Sequence, residues 1–544
     1  MEMHFATVWE AIADELPDAN AITQGEVTRT WREYDDRAAR LASAFTAAGL
    51  APDSKVGLYL YNSNEYLEAQ YAAFKMRGVP INVNYRYLDD ELWYLLDNAD
   101  AEALVYHTSL GDRVARVQDR LPRLKLLIAV DDGPPAPGGS EVSDALPYEE
   151  AIAAHPPMDR ITRGEDDVYI LYTGGTTGMP KGVMYAMGGL TAAFVESGFP
   201  LLGLTTPTDA SQIAEVVGQA AGRGDRFISI PACPLMHGTG VWLGTFIPHL
   251  AGGTVITLES RSLDPHELLA AVQRHRATAV AIVGDAFAKP ILRALDEAAE
   301  RGTPYDTSSL RTIISSGVMW TAEVKTALLD RIGQLVLVDA VGSTEGSMGV
   351  SITMKGLSSA TAKFNQMPST KVFTEDGREV EPGSGEIGMV AAGGNVPLGY
   401  FKDPEKSART FRVVDGVRYS FPGDLATVNE DGSLNLLGRG SQVINTAGEK
   451  VFPEEVEEAV KRAPGVEDCL VVGVPDERFG EAVTAVVSRA AGQSIDAAGV
   501  VAEVKLHLAG YKAPKHVVFV DQVPRSPNGK ADYRRAKEQA LASL

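Results

Sequence analysis

Residues 55–84, KVGLYLYNSNEYLEAQYAAFKMRGVPINVN, set two apolar, β-branched runs on either side of a stretch with helical spacing. KVGLYLY (55–61) predicts a strand, NEYLEAQYAAFKMRG (64–78) a helix and VPINVN (79–84) a second strand. Strands that alternate with helices of this length form βαβ units and a parallel sheet. The rhythm extends outward. YDDRAARLASAFTAAGL (34–50) precedes it as a helix, and LDDELWYLLDNAD (88–100) and AEALVYH (101–107) follow as helix and strand. It returns between 226 and 341, where RFISIPACP, GGTVITLE, ATAVAIVG, LRTIISSG and QLVLVDAVG read as strands separated by helices such as DPHELLAAVQRHR. From about 366 to 437 the chain is rich in strands and turns. After Gly438 the texture changes again. FPEEVEEAVKR and DAAGVVAEVKLHL read as helices among the strands DCLVVGVPD, EAVTAVVSR and HVVFVD. The expectation is an α/β protein: a large domain over 1–438 with stacked, mostly parallel sheets and a β-rich subdomain, then a small α+β domain over 439–544.

A chain of 544 residues is too long for one hydrophobic core, which agrees with two domains. Its 45% hydrophobic and 22% charged residues are ordinary for a globular protein. A net charge of −22 argues against nucleic acid and against docking on anionic membranes. Two distant cysteines, Cys233 and Cys469, exclude a disulfide framework and a cysteine-rich metal site, and they suit a reducing compartment. The opening MEMHFATVWEAIADEL carries acids where a signal peptide needs bases. No apolar run reaches the ~20 residues of a membrane span. The expected location is the cytoplasm and the expected partners are small molecules, with monomer and homodimer both open.

The densest chemical signal is YTGGTTGMPKGVMY (172–185). It follows VYILYT (168–173), which reads as a buried strand. Gly174, Gly175 and Gly178 let backbone N–H groups turn towards one point, since no Cβ blocks unusual dihedrals. Thr173, Thr176 and Thr177 add hydroxyls and Lys181 adds a cation. Such a cluster is a phosphate cradle. It is neither a Walker loop, which ends in Gly-Lys-Ser/Thr, nor a dinucleotide fingerprint.

Four further stretches carry candidates. VGSTEGSMG (341–349) places Gly342, Ser343, Thr344 and Glu345 past the strand QLVLVDA, where ligands of parallel sheets bind. Glu345 suits Mg²⁺ beside phosphate, although alone it reads equally as a loop glutamate. Asp424 in YSFPGDLATV is placed to grip ribose hydroxyls or to cap a turn. Arg439 sits where the texture changes. Lys530 follows Pro527-Asn528-Gly529, a turn that presents a lysine on a tip. His237 in PLMHGTG lies after another strand end.

In this order and at these separations, the stretches resemble the adenylate-forming superfamily of acyl-CoA synthetases, luciferases and peptide-synthetase adenylation domains. The loop matches its Y-T-S-G-T-T-G-x-P-K-G-V pattern with Gly174 in place of serine. GSTE, PLMHGTG, GDLATVNEDGSLNLLGR, GEKVFPEEVE and PRSPNGK match its other motifs, and YTGGTTGMPKGVM with SSGVMW looks most like actinobacterial ligases of fatty or sterol-derived acids.

The resemblance implies ATP, Mg²⁺ and coenzyme A, and it implies roles. Lys530, Glu345, Thr176 and His237 would be catalytic, with Glu345 and Thr176 at the metal. Asp424 and Arg439 would hold the ribose, while Gly317, Val318, Met319 and Asp339 through Thr344 would surround adenine and α-phosphate. Gly448 and Lys450 would serve coenzyme A. His237, Val241, Trp242, Asp285 and Phe287 would line an apolar acyl pocket. The small domain would turn about a hinge at 439–442, with Ser441 where relatives commonly carry aspartate or lysine, and Val341 stands where many carry an adenine-stacking aromatic. A stand-alone adenylation enzyme that loads a separate carrier protein is the rival, and it would use Asp285 for an amino group. Only fourteen residues follow Lys530, so a fused carrier domain is not expected.

Overall fold

The computed structural model describes residues 2–133, 142–173, 179–207, 209–357, 360–446, 449–476, 480–526 and 529–544, apart from the Ser441 side chain. The opening stretch folds as its pattern requires: strand Lys55–Tyr59, helix Asn64–Lys75 and strand Val79–Asn82. Ser63 caps that helix by accepting the Tyr66 N–H, and every residue of the helix except Glu65 is buried. The two strands pair in parallel, and Ala101–His107, Leu126–Val130 and Leu146–Pro147 extend the same sheet, again in parallel.

A second, larger sheet begins with Val27–Thr30 and Asn20–Gln24. It continues in parallel through Thr254–Thr257, Ile228–Pro231, Ala279–Ile282, Thr312–Ser316 and Val336–Ser343. The β-rich part of the large domain continues this same sheet. The strand Val336–Ser343 folds back as a hairpin with Gly346–Met354, and the sheet runs on antiparallel through Lys363–Gln366 to Leu434–Arg439 and Asp424–Val428. Thr344 and Glu345 therefore sit at a hairpin tip, in a turn fixed on both sides by ladder hydrogen bonds.

A three-stranded sheet of Val168–Thr173, Lys181–Ala186 and Gly399–Tyr400 completes the large unit. Around it, Phe5, Trp9, Phe74, Tyr169 and Phe246 form a buried aromatic cluster. The small unit has its own sheet, built on Val466–Asp476 and Gly480–Arg489, with a core of Val471, Val483, Val487, Val456 and Val460. Among the described residues no helix is long and apolar enough to cross a membrane.

Candidate active site

The strand Val168–Thr173 pairs with Lys181–Ala186 so that Thr173 faces Lys181 across the ladder. The cradle residues Gly174, Gly175, Thr176, Thr177 and Gly178 lie outside the described residues, but the strand ends that carry them are fixed. Asn82 fixes one of them. Its side-chain amide donates to the Tyr172 carbonyl (2.8 Å) and the Met236 carbonyl (2.6 Å), and its oxygen accepts the Tyr172 N–H (2.7 Å). Asn62 holds the neighbouring segment, donating to the Cys233 carbonyl (3.1 Å) and accepting from Leu235 N–H (2.8 Å). Asn82 ties the cradle strand to the segment that presents His237, Asn62 steadies that segment, and the motif reading singled out neither. Their one signal was a polar residue on an otherwise apolar strand or at its end.

His237 lies just before a π-helical segment, Thr239–Phe246. A π-turn widens the helix and often marks a functional position. Its Trp242 indole N–H donates to the Tyr169 hydroxyl (3.3 Å), and the ring stands edge-on to Tyr185 at 5.9 Å and against Phe194 at 5.8 Å. Val241 is fully buried. Protein packed around the His237 imidazole, then the Lys530 and Arg86 charges, push its pKa down to about 3. It is therefore neutral at physiological pH.

Helix Gly284–Glu300 follows the strand Ala279–Ile282, against which this segment packs. Gly284 has φ of +53°, and a Cβ there would lie 2.4 Å from the Met319 carbonyl oxygen, so glycine is required. Asp285 next to it is committed elsewhere than expected. Its carboxylate accepts the Thr321 N–H (2.9 Å) and hydroxyl (3.0 Å), and its own N–H donates to Met319 (3.1 Å). Asp285 thus holds Val318 and Met319 in place. Asp339 has a similar fate, paired at 2.7 Å with the buried Lys325 ammonium. Its carboxyl is pushed up by burial against that pairing.

The remaining candidates converge. Glu345 accepts the Tyr400 hydroxyl (2.7 Å) at one oxygen, and its N–H donates to Ser343 Oγ (3.1 Å). The Tyr185 hydroxyl donates to the Thr344 carbonyl (3.0 Å). Asp424 lies opposite Arg439 in the ladder, with Arg439 Nε 3.6 Å from Asp424 Oδ1. Its Oδ2 is buried with no hydrogen-bond partner among the described residues, which leaves an acceptor for ligand hydroxyls. Burial pushes its carboxyl up, with Arg439 opposing.

Lys530 then arrives from the small unit. Its Cε lies 3.4 Å from where a Cβ on Gly317 would stand, and Arg439, Glu345 and Asp424 are the charges it feels. Lys530 is exposed to solvent at the cleft, and the protein around it, then the Arg439 charge, lowers its pKa. Gly529 behind it packs on Ala286, Phe287 and Val283. Lys450 is exposed on a short strand opposite Asn445, and Gly448 lies outside the described residues.

A lysine from near the C-terminus thus meets Gly317, Glu345, Asp424 and Arg439. The chain matches the AMP-binding enzyme family over residues 9–401 and the AMP-binding enzyme C-terminal domain over 455–530. It belongs to the AMP-binding enzyme family. It is 41% identical to a 3-oxocholest-4-en-26-oate–CoA ligase of Rhodococcus rhodochrous, over 99% of this chain and 96% of that one. It is 39% identical, with the same coverage, to a medium/long-chain-fatty-acid–CoA/3-oxocholest-4-en-26-oate–CoA ligase of Mycolicibacterium smegmatis. Among solved structures it resembles ATP-bound MatB from Rhodopseudomonas palustris, with a TM-score of 0.80, 27% identity and 99% of each chain covered.

One residue of this AMP-binding enzyme escaped the motif reading altogether. Lys406, on the short helix Pro404–Thr410, holds its ammonium 4.6 Å from the centre of the Tyr400 ring. Burial and the neighbouring Lys181 ammonium push its pKa down to about 8.

Proposed function

We propose that this chain is an ATP-dependent, AMP-forming acyl-CoA synthetase for medium- to long-chain fatty or steroid-derived acids. The carboxylate attacks the α-phosphate of ATP, giving an acyl-adenylate and pyrophosphate. The coenzyme A thiolate then attacks the acyl carbon and displaces AMP. The observation that carries this reading is the entry of Lys530 among Gly317, Glu345, Asp424 and Arg439. The first step brings two anions together, so positioning and charge neutralisation dominate it. Lys530 neutralises charge where carboxylate and α-phosphate meet, Asp424 and Arg439 hold the ribose, and neutral His237 borders the acyl group without adding charge.

Mg²⁺ fits the donors present. A hard cation held through one carboxylate and substrate phosphates needs no cluster of protein ligands, and Glu345 keeps one oxygen outside its Tyr400 hydrogen bond. Glu345 and Thr176 would hold it, and it would neutralise phosphate charge. Trp242, Val241, Phe194 and Phe287 supply an apolar wall for the acyl chain. Two buried free cysteines suit a cytoplasmic location. In this reading a hinge at 439–442 would divide the domains 1–438 and 439–544.

The test is release of AMP and pyrophosphate with ATP and Mg²⁺ across fatty, aryl, amino and sterol side-chain acids, with and without coenzyme A. Turnover of apolar acids that depends on coenzyme A is expected. Adenylation of an amino acid indifferent to coenzyme A would replace this reading with the carrier-protein one. Against that rival stands Asp285, whose carboxylate is already engaged by Thr321. Light scattering decides between monomer and homodimer.

A further inference from the structure

Segment 399–406 is stitched to the strand that Lys181 begins. Gly399 and Tyr400 pair with Met184 and Val183, and the Phe401 N–H donates to the Gly182 carbonyl (2.8 Å). The chain then turns at Asp403, whose carboxylate caps the Lys406 N–H (3.0 Å) through one oxygen and stands 3.4 Å from Lys181 Nζ through the other. The next helix brings the Lys406 ammonium over the Tyr400 ring and beside Lys181. The same Tyr400 aims its hydroxyl at Glu345. Two ammoniums, one carboxylate between them and Glu345 beyond thus share one corner, at the mouth of the glycine-rich stretch.

Placing two cations together raises the energy of the folded protein, and in a chain of net charge −22 acidic partners are plentiful. Such a pair gains a use when an anion of more than one charge bridges it. Lys530 stands instead at Gly317, where Arg439, Glu345 and Asp424 are the charges it feels.

We propose that Lys406 is a second cation of the polyphosphate subsite, holding with Lys181 the β- and γ-phosphates of ATP and the pyrophosphate that departs. This rests on the ligase reading above and assigns the residue a binding role in it. Tyr400 serves both partners: its ring face steadies the Lys406 ammonium and its hydroxyl orients Glu345. Asp403 links the Lys406 backbone to the Lys181 ammonium.

The experiment is calorimetric binding of ATP, pyrophosphate and AMP to the wild type, Lys406→Met and Lys406→Arg, alongside acid-dependent ATP–pyrophosphate exchange. Methionine keeps the aliphatic stem against Tyr400 and removes the charge. The expected result in Lys406→Met is about tenfold weaker binding of ATP and pyrophosphate, AMP within twofold of wild type, and recovery in Lys406→Arg. Unchanged ATP and pyrophosphate affinity in Lys406→Met overturns the assignment, as does an equal loss for all three ligands. A wild type that neither binds ATP nor exchanges pyrophosphate with any acid removes the ligase reading itself. Wild-type exchange with unaltered Lys406→Met affinities removes only this one.

Discussion

The two halves of the active site are fastened in different ways. On the large unit, the His237 segment and the Val168–Thr173 strand are tied by Asn82, with hydrogen bonds of 2.6 to 2.8 Å, inside a buried core. Lys530 instead rides a small turn, in which Ser526 N–H donates to the Lys530 carbonyl (2.7 Å) and the Arg525 guanidinium to the Gly529 carbonyl (3.0 Å). The small unit is clasped to helix Gly284–Glu300 by surface groups. Lys289 donates to the Glu467 carbonyl (2.7 Å) and Arg293 to its carboxylate (2.8 Å). Buried hydrogen bonds among unlike elements are costly to open, while half-exposed ion pairs are worth ~1 kcal/mol or less. The first half of the site is fastened through the core, and the second through weaker, more exposed groups.

The sharpest way to break this contrast is Lys530→Ala. It should slow adenylate formation by about 10²–10³-fold, the scale of losing one charge-stabilising group, and barely alter thioester formation from a synthetic acyl-adenylate. Equal loss in both half-reactions would mean that Lys530 belongs with the core-fastened half. Asn82→Ala should behave in the opposite sense. With buried partners stranded, it should lower stability by ~2–3 kcal/mol and depress both half-reactions together, read by thermal unfolding and by the two isolated assays.

Glu454 sharpens the comparison at the junction of the two units. Its carboxyl packs on Gly438, and Oε2 is buried with no hydrogen-bond partner among the described residues. Burial, then the Glu457 charge and also Asp424, push it up to about 8, while the Arg439 N–H opposes. Tyr533 also faces it. The folded form therefore keeps a proton that the unfolded chain gives up above the ordinary carboxylate range. Stability from this group is full below that range and is lost as pH rises towards about 8. Glu454→Gln should raise the unfolding midpoint by a few degrees at pH 8.5 and by less at pH 6, and a pH-independent gap would sink the argument. The smallest effect belongs to the clasp. Glu467→Ala should cost up to ~5-fold in adenylate formation and leave thioester formation alone.

Much of this was legible in the chain. The strands at 55–59, 168–173 and 279–282 and the helix at 453–461 follow from periodicity, because each buries one face or both against a single core. The candidate residues Lys530, Glu345, Asp424 and Arg439, named from separated motifs, do meet. What the chain withheld depends on partners distant in sequence. Asp285 reads as a pocket acid until Thr321 arrives 36 residues later to occupy it. Asp339 reads as nucleotide-facing until Lys325 pairs with it. Lys406 reads as one more surface lysine in a turn-rich stretch, and only the Gly399–Tyr400 strand pairing carries it to Lys181. The π-helix at 239–246 has no periodic signature, since a widened turn shifts the hydrophobic register within one element.

The Phe287 ring has a consequence of its own. It belongs to the helix that walls the proposed acyl pocket, and its edge lies 3.5 Å from where a Cβ on Gly529 would stand, one residue before Lys530. In the ligase reading, an acid that presses on this ring would move the floor on which the lysine turn rests, so that the fit of the guest and the placing of the activating cation would be felt at one point.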